Sequence, residues 1–239
     1  MANFGDTECD RCSRGGPATR LSRGYFPWAG FNGDDRMTVI PYLFFNYSSW
    51  NEGTSRSINW SPSADFKISS ALLGSLGVNY TDNTDDAQWF GNFSSGAVTH
   101  YTFAHLQQRV LSVTARLNYA MTPTLTLEFY GAPFVTSGTY SNVRELSATP
   151  RAASYAARFQ PYTPPAGSAT GFDFRQLRAN TVLRWEYRPA STLFFVWTHG
   201  RDGSDPADLN QPWATEYRNL FALHPENTFI LKLAYWMSR

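Results

Sequence analysis

Apolar and polar residues alternate one for one along most of this chain, the pattern of strands that present two different faces. Leu111, Val113, Ala115, Leu117 and Tyr119 share one face, and Ser112, Thr114, Arg116 and Asn118 share the other. In the segment Arg175 to Arg188, Leu177, Ala179, Leu183, Trp185 and Tyr187 oppose Gln176, Arg178, Asn180, Arg184, Glu186 and Arg188. Ile68, Leu72, Leu76, Val78 and Tyr80 oppose Lys67, Ser69, Ser75 and Asn79. The last such segment sets Phe229, Leu231, Leu233 and Tyr235 against Thr228 and Lys232. Helical spacings of three and four are missing from these stretches.

Three short connections share one design. An aromatic ends a strand, a proline follows, and a small polar residue leads into the next strand, at 60–66 (Pro62), 119–125 (Pro123) and 187–193 (Pro189). Proline presets φ for the first corner of a type I turn. The connections 82–99, 138–173 and 203–225 are longer and richer in Gly, Asp, Asn and Pro. The pattern therefore predicts eight strands, at 36–49, 53–60, 66–81, 100–119, 124–137, 174–188, 191–202 and 227–237. Residues 1–35 read as an irregular N-terminal segment and 36–239 as one domain. The expected fold is all-β, an antiparallel up-and-down transmembrane β-barrel with its short turns periplasmic.

A soluble β-sandwich alternates as well, and one that binds glycans through its aromatics is the competing reading. Two features favour the barrel. Several strands reach the roughly 9–11 residues that cross a bilayer at barrel tilt. The apolar face also carries no charge in mid-strand, where a lipid-facing Arg or Lys would cost about 2–4 kcal/mol. Leu111, Val113, Leu117, Leu183, Trp185, Leu231, Leu233 and Tyr235 are the expected lipid-facing residues. Arg116, Glu128, Arg178, Arg184, Glu186 and Lys232 are the expected interior charges, four basic against two acidic. In a barrel of eight strands they would pair and plug the interior; in a wider one they would line a pore leaning weakly toward anions.

Composition adds to this picture. The chain of 239 residues is 42% hydrophobic, 16% aromatic and 16% charged, with a mean hydropathy of −0.38. Low charge with near-neutral hydropathy suits a wall between lipid and water. A net charge of +1 gives no reason to expect nucleic acid as a partner. No apolar run approaches the roughly 18 residues of a transmembrane helix. Met1 to Arg23 is polar, carries Asp6, Glu8, Asp10 and Arg11, and is no secretory signal peptide. An exported protein needs such a signal, so truncation is the expectation. The C-terminal run Phe229 to Trp236 is similar to the signal read by the barrel-assembly machinery, although Met237-Ser238-Arg239 trail beyond it.

Six runs carry a family resemblance. They are Cys12-Ser13-Arg14-Gly15-Gly16-Pro17, Asp85-Asp86-Ala87-Gln88-Trp89, Tyr101-Thr102-Phe103-Ala104-His105-Leu106, Arg116-Leu117-Asn118-Tyr119, Leu183 to Pro189, and Thr192-Leu193-Phe194-Phe195-Val196-Trp197. Over nearly its whole length the chain resembles an uncharacterised bacterial outer-membrane barrel domain of unknown function. That domain commonly follows a carbohydrate-binding sandwich similar to family 9 modules. The resemblance implies a bacterial outer-membrane location in a Gram-negative cell, and that this chain is the C-terminal portion of a larger barrel. It implies outer-membrane lipid, lipopolysaccharide and the barrel-assembly machinery as partners, with glycans bound only through a domain upstream.

Candidate chemistry is sparse. Cys9 and Cys12 form a lone C-x-x-C pair without further zinc ligands, read as a small periplasmic-loop disulfide or idle thiols. His100 and His105 lie five apart, on opposite faces of a strand, and His199 and His224 flank a loop. All four read as loop or rim residues. Neither Asp82–Asp86 nor the stretch Asp202, Asp205, Asp208 has the spacing of a calcium loop, so both read as solvated turns. No hydrolase motif is present. No catalytic residue, metal or cofactor is expected, and a membrane-embedded hydrolase is the least supported of the readings.

Overall fold

The computed structural model describes residues 2–3, 7–205 and 211–237. Asp208 of the acidic stretch and the tail residues Ser238 and Arg239 lie outside the described residues. The chain begins with short strands β1 (Ala2–Asn3), β2 (Glu8–Cys9), β3 (Thr19–Arg20), β4 (Gly24–Tyr25) and β5 (Trp28–Asn32). Long strands follow: β6 (Val39–Trp50), β7 (Ser55–Lys67), β8 (Leu72–Ser95), β9 (Val98–Thr122) and β10 (Leu125–Leu146). After the short β11 (Phe159–Pro161) come β12 (Gly171–Arg188), β13 (Ser191–Gly203), helix α1 (Trp213–Ala222) and β14 (Glu226–Ala234). The long strands pair antiparallel in up-and-down order, β6-β7-β8-β9-β10-β12-β13-β14. Each therefore lies beside its neighbour in sequence, as alternation interrupted by tight turns predicts.

Two of the expected turns are present. Pro123 sits in the two-residue turn between β9 and β10, and Pro189 in the one between β12 and β13. The second departs from type I, because Ala190 has φ 59°. A left-handed conformation costs an alanine roughly 1–2 kcal/mol, and the Glu186 carboxylate offsets part of it by accepting from the Ala190 amide at 3.2 Å.

Pro62 is no turn. It lies inside β7, paired with Leu43 of β6, and the turn between β7 and β8 comes at 68–71. The ladder from β7 to β8 runs to the pair Trp60–Tyr80 and resumes at Ser63–Gly77, stepping over Ser61 and Pro62. A proline without an N–H is tolerated where the ladder already lapses. Side chains bridge the gap, with Asn79 Nδ2 donating to Ser61 Oγ at 2.6 Å.

The expected loop 82–99 is instead a strand hairpin. β8 and β9 stay paired up to Ser95 and Val98 and turn at Gly96, whose φ of 61° suits glycine. β10 likewise continues to Leu146, and the connection 203–225 contains α1. These extensions were hidden because both of their faces are polar or covered, which erases the period-two contrast. The N-terminal segment is not all irregular either, since Trp28–Asn32 pairs with Tyr42–Asn46 of β6.

The expected closed barrel is not formed among the described residues. β5 occupies the side of β6 that would have met β14, and β14 ends the sheet on the other side, exposed along its whole length.

Candidate functional site

The register divides the sheet into two faces. A row across the sheet runs Phe66, Gly74, Leu117, Phe129, Thr181, Trp197, Phe229, each paired with the next. Residues two along each strand share that face. On it, β9 carries no charge from Leu111 to Met121, β10 none from Leu125 to Val135, and β12 none from Leu177 to Tyr187. Charges resume at one end only, with Asp82 paired to Arg109 on β8 and β9, and Arg175 and Asp173 on β12. Much of this apolar face is open, with Trp185 47%, Phe229 63%, Leu231 70% and Leu233 62% exposed.

The six expected interior charges all fall on the opposite face. Arg116 lies beside the Tyr130 ring at 5.3 Å, and Arg178 reaches Asp202 at 3.4 Å. Arg184 is 3.4 Å from Glu186, and Lys232 sits 5.9 Å from the Phe194 ring that separates it from Arg184 in one row. Glu128 faces Asn118 and Val182 across its two neighbours. Between β7 and β8 this face is a ladder of amides and hydroxyls, with Asn59 Nδ2 donating to Thr81 Oγ1 at 2.8 Å and Ser61 Oγ to Asn59 Oδ1 at 3.0 Å. It is not polar throughout. Val182, Val196 and Ile230 form an apolar row beside Glu128.

Of the expected lipid-facing residues, Val113, Leu117, Leu183, Trp185, Leu231 and Leu233 share the apolar face. Leu111 shares it too, but it packs against the cluster of Val135, Leu177 and Leu220 beneath α1. Helix, not open surface, covers it. Tyr235 lies past the last ladder pair, where its hydroxyl accepts from Arg188 at 2.8 Å.

The densest polar chemistry lies at the rim opposite the Pro123 and Pro189 turns. Asp86 sits in a bulge of β8, between the paired residues Asp85 and Gln88. Its Oδ1 is 2.8 Å from His105 Nδ1. Its Oδ2 accepts from Arg144 and from the Tyr155 hydroxyl, both at 2.9 Å, and its amide donates to Ser55 Oγ at 2.9 Å. Glu52 in turn accepts from the Tyr155 amide at 2.9 Å. Burial pushes the Tyr155 phenol well above the usual tyrosine range and raises the Asp85 carboxyl. Nearby, His100 Nδ1 contacts Glu145, and Gln160 Nε2 donates to Glu145 at 2.7 Å. Partial burial raises the Glu145 carboxyl, but these hydrogen bonds outweigh it and hold the group below its ordinary value.

His100 and His105 thus each meet a carboxylate, a convergence that spacing along one strand could not reveal. Asp86 belongs to a bonded bulge and not to a solvated turn. Among the described residues no group of three or more His, Cys, Asp and Glu is arranged to hold a metal. The carboxylate of Asp86 is already bonded to three side chains and its amide to Ser55, so the cluster acts as a clasp on the four strands β7 to β10 and the 147–170 connection.

The N-terminal segment folds onto the same rim. Cys9 and Cys12 are disulfide-bonded, and Cys12 lines a recess with Trp50, Phe103 and Tyr155, away from the short turns. Arg14 stacks on the Trp89 ring at 3.8 Å, and Asn92 Nδ2 donates to the Arg14 carbonyl at 3.1 Å. A side chain at Gly16 would meet the Tyr101 ring at about 2.5 Å, so only glycine allows this approach. Three of the runs that carried the resemblance therefore meet in space here, although the first ends at Pro17 and the third begins at Tyr101.

Together the faces and the rim define an all-β protein built on one antiparallel up-and-down sheet. The chain belongs to the DUF5916 family, a domain of unknown function, whose model matches residues 13–238. No curated protein matches the chain, and no solved structure does.

Proposed function

We propose that this chain forms the wall of a transmembrane β-barrel in a bacterial outer membrane, with a structural or transport role. The observation that carries the reading is the charge-free apolar face, which continues across seven paired strands while the other face holds the charges. On β9 the open part of this band spans Val113 to Met121, eight rises of about 3.4 Å or about 19 Å of height at roughly 45° tilt, and Leu111 beneath α1 extends it to about 24 Å. An outer-membrane barrel needs an apolar band of about 25 Å. A contiguous open apolar face of this kind marks a surface that meets a membrane or a partner. A sugar-binding role for a domain elsewhere in the full-length protein, tethered or served by this wall, completes the proposal.

The test is extraction and folding. The chain should fractionate with membranes, need detergent or lipid to stay monodisperse, and migrate differently on gels before and after heating. Purification as a folded, monodisperse species in plain buffer would overturn the reading.

A further inference from the structure

α1 crosses the strands instead of running along them. Trp213 meets Tyr80 of β8 at 6.0 Å and Arg109 of β9 at 5.2 Å. Further along, the Tyr217 hydroxyl donates to the Leu111 carbonyl at 3.2 Å, and Leu220 packs on Val135 of β10 and Leu177 of β12. At the helix end, Arg201 of β13 donates to the carbonyls of Phe221 and Leu223, the latter at 2.9 Å. β8 to β13 is four strand spacings, about 19 Å, and a helix of ten residues is about 15 Å long. The helix therefore lies along one row of the sheet, on its apolar face, where the band gives way to Asp82, Arg109, Asp173 and Arg175.

The free side of α1 is unusual for a loop in water. Its exposed residues are Ala214, Arg218, Phe221 and Ala222, spaced as one stripe, and Phe221 is 53% exposed. A surface helix ordinarily turns its charged residues outward, whereas α1 buries its acidic residue, Glu216, against Arg175. Here the outward stripe is two alanines with Phe221 and Arg218, an aromatic that can enter acyl chains beside a cation that can meet lipid phosphates.

We infer that α1 is an interfacial helix, lying in the headgroup layer of the membrane that the band spans, with Phe221 directed into the edge of the acyl chains and Arg218 at the level of lipid phosphates. The inference rests on the membrane reading above and adds to it a fixed depth of immersion. A helix clamped across the strands sets where the bilayer ends along β8 to β13.

The test uses the full chain in vesicles of phosphatidylcholine and phosphatidylglycerol, labelled with an environment-sensitive fluorophore at one introduced cysteine. Native Cys9 and Cys12 stay bonded without reductant. Phe221→Cys and Ala222→Cys probe the helix, Phe129→Cys the band, and Ser95→Cys the hairpin tip. The expected result is blue-shifted emission at 221 and 222, quenched severalfold more by shallow than by deep spin-labelled lipid. Position 129 should show the opposite quenching order, and position 95 water-like emission. Water-like emission at both helix positions, or emission that neither quencher touches, with 129 still in the acyl region, would overturn the inference and leave the membrane reading standing. Water-like emission at 129 would remove both.

Discussion

Arg175 of β12 meets Glu216 of α1 at 2.6 Å, with 5% and 2% of their side chains exposed. The same guanidinium lies 3.1 Å from Asp173, so one cation stands between two buried carboxylates. Taking both charges of such a pair out of water is costly, and it is tolerated only while the partners stay together. This contact, with Leu220 beneath it, joins the 203–225 connection to the sheet.

The asymmetry of that cluster gives the first prediction. Arg175→Met takes the cation away from Glu216, 2% exposed, and should cost about 3–5 kcal/mol, the usual penalty for breaking a buried ion pair. Glu216→Gln leaves Arg175 with Asp173 and should cost less. Limited trypsin digestion at Arg218 reads the outcome. Arg175→Met should be cut readily, and Glu216→Gln should keep most of its protection. The reverse order would mean that the Arg175–Glu216 pair is not what holds α1 to the sheet.

How much of this was legible in the chain depends on contrast between faces. The strands around Leu117, Leu183 and Leu231 are readable because apolar residues recur at every second position while the positions between them are mostly polar. β8 beyond Asp82 was not, since Asp82, Asn83, Thr84 and Asp85 look like a loop whichever face they take. α1 carried its own signal, because Trp213, Glu216, Tyr217 and Leu220 have helical spacing after Pro212. That spacing does not coincide with a two-residue period. The Asp86 clasp joins residues 55, 86, 105, 144 and 155, and no local pattern announces a contact set by five separate segments.

The two faces of β9 make a paired prediction. Leu117 is paired with Gly74 and Phe129 in the charge-free row, and Arg116 lies beside Tyr130 on the opposite face. Leu117→Arg would put a charge against lipid at about 2–4 kcal/mol and should block assembly into vesicles. Arg116→Leu should assemble nearly as well as the parent. Folding yield measured by heat-modifiable gel migration decides it, and the opposite ranking would exchange the faces.

Tyr217 gives α1 an alkaline limit. Burial pushes its phenol up to about 12, and its hydroxyl donates to the Leu111 carbonyl. A group whose folded value lies above the ordinary value of about 10 favours the native state below that pH. That contribution fades as pH rises from about 10 to about 12. The trypsin protection of α1 should therefore fall across this window, and Tyr217→Phe should flatten the part of the fall that exceeds the background from other tyrosines and lysines. An unchanged profile in Tyr217→Phe would show that the phenol does not couple helix docking to pH.

The last prediction concerns the outer side of β14. Its inner side is paired with β13 from Thr192–Ala234 to Gly200–Glu226, so alternate amides between Asn227 and Leu233 point away from the sheet. Left unpaired in hydrocarbon, each such N–H or C=O would cost several kcal/mol, and no lipid-exposed open edge survives that penalty. If the apolar band meets lipid, a further strand must take this edge in the assembled protein. Hydrogen exchange on the protein in vesicles should then show every amide from Asn227 to Leu233 protected, without alternation. An odd–even pattern, with every second amide exchanging like an open chain, would mean that the edge faces water. The band it borders would then be no bilayer-spanning surface, because one wall of a sheet cannot sit in acyl chains while its free edge stays hydrated along the same height.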